Sequence, residues 1–187
     1  MLSESEKHLL LRVARASIEA AVCQIPPAKL SSIPASLQRP SGAFVTLHCA
    51  GELRGCIGYI EPQKPLIETV QEAAMRASLD DYRFPPVAAQ EVARLDIEIS
   101  VLSELREVDG IDEIIVGTHG LLVESRHHRG LLLPQVPVEQ AWDRETFLNQ
   151  TCRKAGLPPT AWRDQGVTLF IFTAEIFNES SVGVPHD

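Results

Sequence analysis

The sequence predicts an α+β fold with a largely antiparallel sheet and flanking helices. Three observations predict it. Short segments alternate apolar and polar residues and are bounded by turn residues; several of them pair across tight turns; stretches with helical apolar spacing stand between them. Strand segments outnumber helices and come in hairpins, which separates this pattern from an alternating α/β chain. At 187 residues the chain fits one domain, or two small lobes sharing a core.

The elements follow in order. Ser3 or Ser5 can cap a first helix that runs to about Val22, with Leu9, Leu10, Val13, Ala16, Ala20 and Ala21 recurring at helical spacing. Pro26, Pro27, Pro34 and Pro40 make residues 24–40 an extended connector. Residues 42–49 (GAFVTLHC) and 52–60 (ELRGCIGYI) read as two strands joined by a turn at Ala50-Gly51. A simple two-residue turn sets Val45 opposite Cys56, Leu47 opposite Arg54 and Cys49 opposite Glu52. Pro65 opens a helix over LIETVQEAAMRASLD whose Leu66, Val70, Ala73, Ala74 and Ala77 share one side. Pro85 and Pro86 close the DYRFPPV turn that follows.

Residues 95–103 (LDIEISVLS) alternate as a strand, with Leu95, Ile97, Ile99 and Val101 on one face and Asp96, Glu98 and Ser100 on the other. Gly120 to Glu124 and Gly130 to Leu133 read as a hairpin around SRHHR. Pro134 and Pro137 lead into a helix over roughly 138–155, ended by Gly156. VTLFIFTAEIF forms one last long strand over 167–177. No repeat or low-complexity tract interrupts this order.

Composition narrows the function classes. A net charge of -8 argues against non-specific nucleic-acid binding, which needs a basic footprint. Of the 17 cations, 13 are arginine, a residue suited to bidentate recognition of carboxylate or phosphate. The N-terminus breaks its apolar patches with charge, unlike a signal peptide, and no apolar run is long enough to cross a bilayer. Cys23, Cys49, Cys56 and Cys152 are scattered without a CxxC pair, which points away from a cysteine-based zinc site and from a disulfide scaffold. The expected setting is the reducing cytoplasm, with no membrane association. No Gly-rich phosphate loop, serine elbow or paired metal-carboxylate motif is present, so no cofactor and no metal is predicted.

The ordered motifs FVTL, GELRGCIG, DYRFPPV, LDIEISVLS, VGTHGLLV, GLLLPQV, EQAWD and KAGL resemble the AMMECR family, from about Leu9 to Glu179. The resemblance implies one AMMECR-type domain over residues 1–187, built as two intimately joined subdomains sharing a groove. It implies action beside a Memo-like protein and a radical S-adenosylmethionine protein, in the AmmeMemoRadiSam grouping, and supplies no established reaction. Tyr82 is a departure: the family commonly has proline between Asp81 and Arg83, so this turn is less rigid.

The candidate site centres on LRGCIG. Gly55 and Gly58 leave Cys56 open, and Arg54, two residues away, would favour its thiolate. The alternative is a small buried hydrophobe, the usual state of a free cysteine. Glu98 either lies on a solvated sheet face or lines a cleft as an orienting group or base. His119, between Gly117 and Gly120, is a general base or a satisfied turn histidine. Arg83 either clamps an anionic ligand or pairs with Asp81. Gln135 stands where a strand ends, a position from which side chains enter pockets. His127 and His128 sit at a hairpin tip; they, His48 and His186 call for no function, and Trp142 and Trp162 read as core or rim.

Two function classes follow. One is a binding module that acts with Memo-like and radical S-adenosylmethionine proteins, its groove lined by Cys56, Arg54 and Glu98, with Arg54, Gly55, Gly58, Arg83 and Gln135 binding a small anionic ligand. The other is a cysteine-dependent enzyme with Cys56 as nucleophile on a small anionic substrate and Glu98 and His119 as acid/base groups.

Overall fold

A computed structural model describes residues 1–26 and 32–182. Pro27 and His186 lie outside the described residues. Two compact units are formed, one from Met1–Leu102 and the segment from Glu175 onward, the other from Ser103–Ala174. Both carry helices against antiparallel strands, so the α+β expectation holds.

The first unit opens with helix α1 (Glu4–Cys23). Ser3 caps it: the Glu6 N–H donates to Ser3 Oγ, and the Ser3 N–H donates to the Glu6 carboxylate at 2.7 Å. The buried stripe is Leu10, Val13, Ala14, Ser17 and Ile18. It is rotated from the expected face, for Ala16 and Ala21 are only half-buried. Within the connector, Ala35–Gln38 form one 3-10 turn that buries Leu37.

Strands β1 (Ala43–Cys49) and β2 (Glu52–Tyr59) form the expected hairpin. Ala50 and Gly51 both take positive φ, 53° and 83°, as a two-residue hairpin turn requires. Helix α2 (Leu66–Leu79) and β3 (Leu95–Leu102) also stand where the periodicity puts them. A short helix α3 (Ala89–Val92) lies between them. The sheet order is β2-β1-β3-β8, with β8 spanning Ala174–Asn178, followed by a last helical turn α6 (Glu179–Val182). One sheet face packs on α1 and α2 through Val45, Leu47, Ile97 and Ile99, all fully buried.

The register of this hairpin differs from the expected one. His48 pairs with Leu53 and Leu47 with Gly55, which leaves Arg54 as an extra residue in β2. That β-bulge shifts every later pair by one, and a one-residue shift changes which face each side chain occupies. Cys56 therefore faces Thr46, not Val45, and turns away from the helices; Cys49 faces Glu52 as expected.

Gly55 now lies on the helix face. A Cβ there would stand 2.2 Å from the Ala77 carbonyl oxygen, so α2 and β2 meet backbone to backbone. At Gly58 a Cβ would stand 2.3 Å from the Phe44 ring. The space that these glycines free is filled by a helix and a ring; it is not a path to the thiol. Gly55→Ala should cost about 1–3 kcal/mol, the range for overpacking a rigid contact. A urea midpoint unchanged by this substitution would show that the two elements separate freely.

The second unit is built from Arg106–Glu107 (β4), Gly120–Ser125 (β5), His128–Leu132 (β6) and Val167–Phe172 (β7), in the sheet order β4-β7-β5-β6. Its core joins Ile114, Leu121, Val123, Phe147, Leu148, Cys152 and Ile171, with Trp142 and Trp162 packed at the margin. The helix expected over 138–155 is two helices, α4 (Gln135–Glu139) and α5 (Arg144–Lys154). Ala141 takes φ 52°, and Asp143 starts α5 afresh by accepting the Thr146 N–H at 2.7 Å. Gly156, at φ 75°, ends α5 as expected; its N–H and that of Leu157 bond to Arg153 and Cys152.

The single strand expected over 167–177 also divides. Thr173 and Ser103 exchange hydrogen bonds, so β7 ends at Phe172 and β8 begins at Ala174 in the other sheet.

Candidate functional site

The bulge at Arg54 aligns Cys56, Thr46 and Glu98 across three adjacent strands, on the sheet face away from the helices. Strand spacing of roughly 4.8 Å sets Thr46 between the thiol and the carboxylate. The Thr46 hydroxyl donates to Cys56 Sγ at 3.3 Å. In the next row, Phe44 pairs with Gly58 on one side and Ser100 on the other. Ser100 is 1% exposed, and its hydroxyl has no hydrogen-bond partner.

Cys56 is fastened through its backbone. Its N–H points outward from the edge strand and donates to Asp81 Oδ2 at 2.8 Å. Arg83 grips the same carboxylate, Nε to Oδ1 at 2.9 Å and Nη2 to Oδ2 at 2.6 Å, and its own N–H adds a third bond. These donors, the Arg83 side chain first, hold Asp81 down at about 2. Of the two roles expected for Arg83, this is the pairing with Asp81. Tyr82 between them is 95% exposed, so the ion pair anchors Arg83 without the rigidity of a proline.

Arg54 does not serve the thiol. Its guanidinium makes a bidentate pair with Glu91, at 2.9 and 3.0 Å, and donates to the carbonyls of Pro85 and Pro86. It pins the DYRFPPV turn to the bulge. Glu91, held chiefly by Arg54, drops to about 2. Burial, the main influence, pushes the Cys56 thiol up; the Thr46 hydrogen bond and Arg83 draw it down, while Asp81 and Glu98 oppose them. The pull on Cys56 expected from Arg54 comes instead from Arg83.

In the second unit, His119 closes its own turn: Nδ1 accepts the Ile115 N–H at 3.2 Å. Gln135 opens α4 with its side-chain oxygen buried and unpartnered. His128 reaches the Ala155 carbonyl at 3.1 Å, and Arg163 lies over the Trp162 ring. Among the described residues no three His, Cys, Asp or Glu side chains cluster to hold a metal, and no helix is long and apolar enough to cross a membrane.

Thr46 and Glu91 are the contributors that sequence reasoning passed over. Asp81 was visible in DYRFPPV as a partner for Arg83. Nothing local marks Thr46, because its place beside Cys56 depends on the bulge.

The LRGCIG and DYRFPPV segments thus form one interlocked edge, and known proteins share this chain's pattern throughout. The AMMECR1 family pattern matches residues 11–177. The chain belongs to the AMMECR1 family. It is 45% identical over 185 residues to a protein of Methanothermobacter thermautotrophicus, covering 95% of this chain and 96% of the relative. Protein TK0174 of Thermococcus kodakarensis is 46% identical over 183 residues, covering 91% and 88%. The crystal structure of the uncharacterised protein PH0010 from Pyrococcus horikoshii superposes with a TM-score of 0.92. Its identity is 40%, covering 98% of this chain and 96% of that one. The AMMECR family resemblance read from the motifs is thereby shown, and so is the α+β class.

Proposed function

We propose that this AMMECR1 protein is a binding module that uses the sheet face around Cys56 to hold a small ligand. In this reading it works with Memo-like and radical S-adenosylmethionine proteins and does not carry out thiol chemistry alone. The observation that carries it is the state of Cys56. Its thiol is pushed up by burial, and its neighbour Thr46 is a hydroxyl, which at neutral pH cannot take the proton that a nucleophilic cysteine must lose. The two nearby arginines are each committed to a carboxylate of their own, Arg54 to Glu91 and Arg83 to Asp81.

The test is the rate of iodoacetamide modification against pH, with adducts located by peptide mass spectrometry. Cys56 should react no faster at pH 7 than exposed Cys23, with a midpoint above the free-cysteine value of about 8.5. A midpoint below that value, with Cys56 the fastest of the four, would overturn the binding reading. It would favour the nucleophile acting on a small anionic substrate, toward which Arg83 and the Thr46 hydroxyl already lean.

A further inference from the structure

We infer that the Asp81–Arg83 ion pair is an edge guard: it fills the strand-addition site on β2 and keeps a second copy of this chain from pairing there, β2 against β2. The site is the outer edge of that strand and not the sheet face proposed to hold a ligand.

β2 stands first in the order β2-β1-β3-β8, so one of its sides has no strand beside it. A bare edge offers unpaired N–H and C=O groups to another chain, and folded proteins blunt such edges with charged side chains. On β2 the edge is blunted at one residue. The Cys56 N–H donates to Asp81 Oδ2 at 2.8 Å, and Arg83 Nη2 donates to the Cys56 carbonyl oxygen at 3.5 Å. One acceptor and one donor, joined by their own ion pair, thus meet the two backbone groups that a neighbouring strand would meet.

Strand alternation extends this edge to Gly58. It stands two residues from Cys56 and pairs with Phe44 as Cys56 pairs with Thr46, so its N–H and C=O face the same way. Among the described residues nothing bonds to these groups. β2 ends at Tyr59, and Arg54 bulges out of the ladder, which leaves Cys56 and Gly58 as the regular outward positions.

Those two positions select a second copy as the occupant. Two antiparallel β2 strands with a two-fold axis at Ile57 set each Cys56 opposite the Gly58 of the other copy. Each such pair can exchange both of its backbone hydrogen bonds, so the edge is complementary to itself. Every bond in this register has Cys56 at one end. A guard on that single residue therefore blocks them all.

The test is sedimentation of Asp81→Ala/Arg83→Ala beside the parent over a concentration series, with amide exchange of the full chain followed in the same samples. Removing both charges together leaves neither one orphaned. The double variant is expected to dimerise about tenfold or more tightly than the parent, through the backbone bonds it gains. Its Gly58 amide should become protected as it does so. Glu91→Gln loosens the far end of the same turn but keeps the Cys56 bonds, and it should sediment as the parent does.

A double variant that associates no more tightly than the parent would overturn the inference. So would association that leaves the Gly58 amide exchanging as fast as in the monomer, which would put the contact elsewhere. A parent whose Gly58 amide is already protected through association would overturn it too, because the guard would then exclude nothing. Glu91→Gln associating as tightly as the double variant would assign the effect to the turn as a whole and not to the guard. If the double variant does not fold, Asp81→Asn, which loosens the grip of Arg83 on this side chain, takes its place and should shift association in the same direction.

Discussion

Replacing Arg15 by methionine is expected to destabilise the protein by about 3–5 kcal/mol, the cost of leaving one charge of a buried pair without its partner. The Glu179 side chain is fully buried and accepts two Arg15 donors, Nε at 2.6 Å and Nη2 at 2.5 Å. It also accepts the Ile97 N–H at 3.1 Å, and Arg15 donates to the carbonyls of Val92 and Leu95. One ion pair thus ties α1, the end of α3, the start of β3 and the first residue of α6. Glu179→Ala should cost as much, since it orphans both the guanidinium and the Ile97 amide. Arg15→Met combined with Glu179→Leu should be milder than either alone, because no uncompensated charge is left inside. Urea unfolding of the four proteins measures this. A single-variant loss under about 1 kcal/mol would mean that water reaches the pair.

The second large effect belongs to Asp81. Its carboxylate, 3% exposed, holds both the Cys56 N–H and Arg83, and Asp81→Ala should cost about 2–3 kcal/mol. The figure lies below that for Glu179 because Arg83 is 40% exposed and stays solvated when abandoned. The group also gives a pH signature. Its folded value of about 2 is depressed from the ordinary 3.8, so its stabilisation is complete above about pH 4 and fades as pH falls toward 2. The difference amounts to about 2 kcal/mol. Glu91 fades over a similar window, from 4.5 toward about 2, with a smaller share because it is more exposed. Asp81→Asn should therefore lose stability less steeply than the parent between pH 5 and 2.5. Identical slopes in denaturant titrations across that range would show that Asp81 is not held by Arg83.

Cys56 exposes where reading ahead of the structure stops. Its strand, its hairpin partner and the tight turn at Ala50-Gly51 follow from local periodicity and turn chemistry. The face that it occupies does not. That depends on Arg54 bulging out to reach Glu91, a residue 37 positions away, and one extra residue exchanges the two faces of the rest of β2. Local pattern reads Gly55 and Gly58 as leaving Cys56 open to a ligand. Only the position of the Ala77 carbonyl and the Phe44 ring decides for packing.

Local patterns in the chain predict the α+β class, the order of α1, the β1–β2 hairpin, α2, β3 and the β5–β6 hairpin, the family, and the segments of the candidate site, but neither α3 nor β4. These rest on period, capping and turn residues, all of which act within a few positions along the chain. The tertiary structure alone decided that Thr46 and not Val45 meets Cys56 and that Arg54 and Arg83 are each spent on a carboxylate. It also split 138–155 into two helices and gave β7 and β8 to different sheets. Each of these outcomes is a competition between partners distant in sequence. Burial, charge pairing and backbone hydrogen bonding settle it only once the strands are side by side.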